Sequence, residues 1–352
     1  MSFLELGIPV SNGTVSLKVF NVAPDMRTFS LPSGAVMHPV LPGHEAFRAP
    51  IFASLIEHAA SGRRVMFDLG VRRDLENAAP RIVQLIKDAG TVLLDRDISE
   101  LLIDDGVDLG SINAVIWSHA HFDHIGDMSK FPSSTQLVFG QSTVLESHEV
   151  NPNSTLLESV FRSVSLCFEF LKFIDFWVAA GSWSPSTSRN PRSKSGFQGT
   201  RLFRRWKSLC TRRSGSPRWL RLRPRAGDAD QLRLPRWQRL PPRSLCGALP
   251  APLMPLDSSI WLRMTPMLNV SEEDIYEDKP TARSSIAKME DFDANEDVFV
   301  VLTHDQSLVE AVGPFPVALD DWQAKGWKSR VTWAFLDEAN SAFRFNVGAA
   351  SP

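Results

Sequence analysis

One stretch of this 352-residue chain is unfit for the core of any sheet. Between residues 189 and 250 there is no isoleucine and no valine, and 15 arginines and two lysines stand against two acids, Asp228 and Asp230. A pleated, half-buried surface selects β-branched aliphatics, and scattered prolines break both helix and ladder. The stretch carries a net charge of +15. The rest of the chain, with 21 basic and 38 acidic residues, carries −17, so a bland total of −2 hides a divided molecule. Arg, Pro and Ser without a hydrophobic pattern point to disorder. The same composition is what a retained intron followed by a frame-shifted GC-rich exon yields on translation, over roughly 163–250. The chain therefore divides into residues 1–160, an anomalous basic segment at 161–254, and residues 255–352. The first and last parts are expected to be two halves of one domain.

Both flanks read as ordinary α/β protein. At 43% hydrophobic and 22% charged, the chain as a whole can bury a sizeable core. Three cysteines, Cys167, Cys210 and Cys246, are too few and too irregular for a disulfide framework. The N-terminus lacks the features of a signal peptide. The most apolar run, 164–180, is interrupted by Glu169, Lys172 and Asp175, so no membrane span is expected and the protein reads as cytoplasmic.

Residues 16–22, 51–57 and 64–69 carry strand patterns, with Gly62 turning the last two into a hairpin. Ile82, Leu85 and Ile86 give 77–89 a helical spacing. Asp97 is a candidate N-cap and Gly106 a stop for the helix between them. Residues 113–117 and 136–139 read as short buried strands. Downstream, 296–303 is strongly β-forming, 307–312 and 318–325 are helix candidates, and 331–336 is a strand or buried segment.

Directly after the apolar run 114–117 comes Ser118-His119-Ala120-His121-Phe122-Asp123-His124. Three imidazoles and a carboxylate so close together are costly unless something neutralises them. Neutral imidazole and carboxylate suit zinc or another borderline first-row metal. A turn folds such a string around two adjacent ions, with His119 and His121 on one and Asp123 and His124 on the other. The bland alternative is a polar loop with chance histidines.

The string His119-x-His121-x-Asp123-His124 resembles the signature of the metallo-β-lactamase superfamily, and its fuller form SHAHFDHIGD resembles the acyl-homoserine-lactonase-like branch with its fungal relatives. Phe67-Asp68-Leu69-Gly70 is similar to a strand-end aspartate element of that family, and Thr303-His304-Asp305 to its late ligand histidine. The resemblance covers roughly 16–160 and 255–345. It implies an α/β (α+β) fold of the αββα sandwich type, two zinc ions, and His119, His121, Asp123, His124 and His304 as metal ligands. Asp68 would support the metal loop.

The implied activity is hydrolysis of a small cyclic ester or amide, a lactone or lactam, by attack of metal-bound hydroxide on the ring carbonyl, with Asp123 as the catalytic side chain that orients or accepts a proton. Two further family ligands are expected between the motif and His304, a Gly-His histidine and an aspartate bridging the metals. Only His148 lies in that interval, and its context does not match. Weak or single-metal occupancy follows.

Two other readings stay open. One is a catalytically inactive relative or defective gene product. The other is a nucleic-acid-binding or cleaving protein that uses Trp206, Trp219 and Trp237 among the arginines. Against the latter, the arginines form no helical face and no RNA-binding signature is present. His38, His44, His58 and His148 read as surface or core residues, and Trp322, Trp327 and Trp333 as core rather than a substrate wall.

Overall fold

A computed structural model describes residues 13–23, 31–40, 43–48, 50–89, 94–140, 143–162, 165–167, 269–271, 278–332, 334 and 340–342. All of them belong to one compact unit, Met1–Ser182 together with Gln231–Pro352. The basic stretch, and with it the expectation of disorder, lies outside the described residues, as do Trp333, Phe335 and Leu336 of the 331–336 segment. The strands are β1 (Ser16–Asn21), β2 (Leu31–Pro32), β3 (Met37–His38), β4 (Ala46–Phe47), β5 (Phe52–His58), β6 (Arg63–Phe67), β7 (Ile112–Ile116), β8 (Gln136–Val138), β9 (Ser165–Cys167), β10 (Asn269–Val270) and β11 (Val317–Ala318). The helices are α1 (Ser33–Val36), α2 (Pro80–Ala89), α3 (Ile98–Asp104), α4 (Phe122–Ile125), α5 (Ser159–Arg162), α6 (Lys279–Asp293), α7 (Gln306–Val312) and α8 (Trp327–Val331).

The fold is mixed α/β, and its main sheet has seven strands in the order β11-β1-β5-β6-β7-β8-β9. β11, β1, β5 and β6 pair antiparallel, whereas β6, β7, β8 and β9 run parallel. The expected hairpin is β5–β6, with Gly62 at φ +66° in its turn. Period-2 alternation shows in the packing. Leu55, Met66, Val115 and Trp117 enter one buried cluster, with Leu102, Met128 and Phe139. Their sequence neighbours Ile56, Val65, Ala114 and Ile116 enter another on the opposite face. A sheet covered on both faces explains why β7 reads as a continuous apolar run rather than an alternating one.

Helix boundaries follow local chemistry. Asp97 accepts from the amides of Ser99 and Glu100, and Glu100 returns a bond to the Asp97 amide, a complete capping box at the start of α3. Lys130 also contacts the Asp97 carboxylate. Gly106 (φ +79°) ends the turn after α3. In α2, Ile82 and Ile86 are buried but Leu85 is 44% exposed, so the apolar face is narrower than the spacing suggests.

The C-terminal half departs further from expectation. Residues 298–302 run without assigned secondary structure: the β-forming run 296–303 finds no ladder partner among the described residues. The helix expected over 318–325 is a series of turns, because Val317 and Ala318 are drawn into β11 against Lys18 and Val19. Packing holds this half in place. Leu308, Val312, Trp322, Trp327 and Val331 bury against Val19 and Phe52 of the main sheet. Lys328 Nζ donates to the carbonyls of Asp293 (2.6 Å), Asn295 (2.7 Å) and Val298 (2.6 Å), using all three ammonium protons to fix the turn between α6 and the 298–302 run.

Candidate metal centre

The parallel pair β6–β7 brings two chain ends side by side, with Phe67 opposite Ile116. The next residues are Asp68 on one strand and Trp117-Ser118 on the other, at the carboxyl edge where open α/β sheets bind ligands. The Asp68 amide extends the ladder to the Ile116 carbonyl at 2.8 Å, and the backbone then turns sharply, with Asp68 in the left-handed region at φ 56°. A non-glycine residue persists there only where its surroundings over-determine it. Here they do: the buried Asp68 carboxylate accepts from the Ser118 amide (2.7 Å), Ser118 Oγ (2.7 Å) and His124 Nδ1 (2.8 Å).

His121 N-caps the short α4, and the helix stops at Gly126 (φ 51°). A Cβ at Gly126 would lie 2.4 Å from Leu69 Cβ, so glycine is required where the two loops cross. The crossing is stitched by Leu69 N to His124 O (2.8 Å) and Gly126 N to Gly70 O (2.9 Å).

Four histidines and one aspartate gather above this crossing. Asp123, His124 and His304 each offer a ligating atom within 4.8 Å of the other two, the only such group of three among the described residues. Asp123 Oδ2 lies 3.6 Å from His124 Nε2 and 3.3 Å from His304 Nε2. Both imidazoles are anchored through the opposite nitrogen, His124 Nδ1 on Asp68 and His304 Nδ1 on the Pro50 carbonyl at 3.0 Å. Anchoring one nitrogen fixes ring orientation and leaves the other for an ion. The donor set of one carboxylate and two imidazoles thus fits a divalent first-row cation.

His119 and His121 sit beside this group: the His119 ring centroid is 4.0 Å from that of His124 and 4.4 Å from that of His121. His119 thus stands at least as near His124 as His121, so ring distances alone draw no line between the two pairs expected from the motif. The structure adds the placement of His304 with Asp123 and His124.

Burial would raise the Asp123 carboxyl, but its hydrogen bond to His304 and the nearby His124 hold it well below the usual carboxylate range. Burial would lower His124, yet Asp68 and Asp123 push it above its ordinary value. His119 keeps a solvent-exposed edge, but withdrawal of water from its ring and the neighbouring His124 and His121 lower it to about 3.

All eight histidines of the chain lie among the described residues, and the remaining four stand outside the cluster. His44 is buried, His38 is exposed on β3, and His58 bonds Ser61 Oγ through Nδ1 at 2.7 Å. Trp322 and Trp327 are core, as expected. Two contributors escaped sequence reasoning. Ser118 bridges Asp68 to the histidines, and only its place at the head of the motif hinted at it. The Pro50 carbonyl leaves no signal in sequence, since any residue would supply it. No described helix is long and apolar enough to cross a membrane.

The metallo-beta-lactamase superfamily profile matches residues 47–139, the span from β4 to the end of β8. The metallo-hydrolase mfmC of Annulohypoxylon moriforme is 30% identical over 354 positions, covering 95% of this chain and 89% of that one. The gamma-lactamase FDB1 of Fusarium pseudograminearum (strain CS3096) is 28% identical over 363 positions, 94% of this chain and 84% of the relative. Among solved structures, a quorum-quenching N-acyl homoserine lactone lactonase aligns at 17% identity and a TM-score of 0.32, over 44% of this chain and 58% of the other. With a relative 30% identical along nearly its whole length, the chain belongs to the metallo-β-lactamase superfamily and is a hydrolase.

Proposed function

We propose that this hydrolase opens a lactone or lactam ring with the help of a zinc ion held by Asp123, His124 and His304. The observation that carries the reading is the convergence of these three side chains, each imidazole tied back at Nδ1. The name of the gamma-lactamase FDB1 supports a cyclic amide or its ester counterpart as substrate. A bound zinc ion would supply Lewis-acid polarisation of a ring carbonyl and a nucleophile at neutral pH.

The chain's own residues supply order. Asp68 keeps the Nδ1 proton of His124, and the Pro50 carbonyl keeps that of His304, so both rings offer Nε2. Asp123, held below the usual carboxylate range by His304 and His124, offers a charged carboxylate to ligate. His119, neutral down to about pH 3, offers a hydrogen-bond acceptor beside the ion without adding charge.

The test is ring opening by the purified full chain on panels of lactones and lactams, with zinc and after chelation. Chelator-sensitive turnover of at least one ring class is expected. Absence of turnover by a zinc-loaded chain across both panels overturns the reading.

A further inference from the structure

We infer that this chain is a one-ion member of its superfamily: a single divalent cation sits on Asp123, His124 and His304, and His119 and His121 hold no second one. The inference rests on the reading above and departs from the two-zinc expectation that the motif raises. Its basis is an inventory of ligands. A second ion would need a third protein donor beside His119 and His121; no histidine remains to provide it, and among the described residues no cysteine or carboxylate joins the two in a group of three. Four lie in the cluster, and His38, His44, His58 and His148 join no group of three potential ligands. Nor does any other described carboxylate join Asp123 to bridge two ions.

Two imidazoles alone make a weak site in water, whereas three protein ligands with an open position is the composition of a mononuclear catalytic zinc site. Both histidines of the complete set have their second nitrogen anchored, one of them on a buried carboxylate. The loss of the first position therefore leaves a centre able to bind an ion and to accept substrate at its open side.

The experiment is elemental analysis of purified full-length chain equilibrated with zinc, alongside the cobalt-substituted absorption spectrum. About one zinc per chain is expected, with one set of cobalt bands. The double variant His119→Ala with His121→Ala should keep that ion, whereas His304→Ala and, independently, Asp123→Asn should each lose it while retaining the wild-type circular dichroism. Two zinc ions per chain overturn the inference and leave the ring-opening reading intact. Loss of the ion in the double variant, with retention in His304→Ala, also overturns it by placing the ion at the other position. One zinc per chain with no ring opening supports the stoichiometry and sinks the proposed substrate class instead.

Discussion

The two halves of the domain meet the metal centre in different ways. Residues 13–167 supply six of the seven strands of the main sheet and four of the five clustered side chains, His119, His121, Asp123 and His124. All four ride on one crossing of backbone, locked by Asp68 and Gly126. Residues 269–342 supply that sheet with one two-residue strand, β11, and the cluster with one side chain, His304. That side chain is placed by long-range contacts: tryptophans against Val19 and Phe52, Lys328 against three carbonyls, and a single bond to Pro50. Local hydrogen bonding thus fixes most of the centre, and tertiary packing completes it.

The comparison breaks outright if the basic segment is not native to this fold. If 161–254 is translated from a retained intron and a shifted exon, a correctly spliced transcript encodes a different middle, and its product should bind two zinc ions instead of one. Sequencing the transcript across codons 155–255 decides it; an intronless message that still encodes the arginine-rich stretch rules the idea out.

Within the present chain, the largest loss should come at the crossing. Asp68→Ala strands a buried His124 and removes the acceptor of the Ser118 amide and hydroxyl, for about 3–5 kcal/mol in urea unfolding. Zinc affinity should fall ~10–100-fold with it. A variant as stable as wild type would mean that the loop is held by packing alone.

Lys328→Met leaves two buried carbonyls and one half-buried carbonyl without their donor and should cost about 3 kcal/mol. If the C-terminal half positions His304 as described, zinc affinity measured calorimetrically falls too; unchanged affinity would show the two to be uncoupled. Gly126→Ala adds a methyl against Leu69 at positive φ, for about 2 kcal/mol in thermal melting.

The smallest effect, about 1 kcal/mol, belongs to Asp97→Ala, which removes the cap of α3. Burial would raise the Asp97 carboxyl, but Lys130, Ser99 and the Glu100 amide bring it below its ordinary value of 3.8. Its stabilisation is therefore present above that pH and lost as pH falls through the lower folded-state value. Acid unfolding should accordingly be shallower in the variant than in wild type.

Sequence made the N-terminal half legible because its signals are local. The Asp97 cap, the Gly62 turn and the apolar run before Ser118 each specify backbone within a few residues. The metal motif was legible for the same reason. The C-terminal half was less so: a strand needs a partner that its own sequence does not name, and 296–303 has none among the described residues. The grouping of His304 with Asp123 and His124 rather than with His119 is likewise a fact of three dimensions. Leu85 misled in a smaller way, since helical spacing gives the direction of a face but not its width.

Asp123 and His304 stand 181 positions apart, and the whole arginine-rich segment lies between them. A cation shared by the two closes that stretch into a ring, much as a crosslink would. The entropy of closing such a ring grows only with the logarithm of its length, so even a doubling adds about 0.6 kcal/mol. Sequence added inside such a loop therefore weakens the grip on a shared ion very little, whatever its composition.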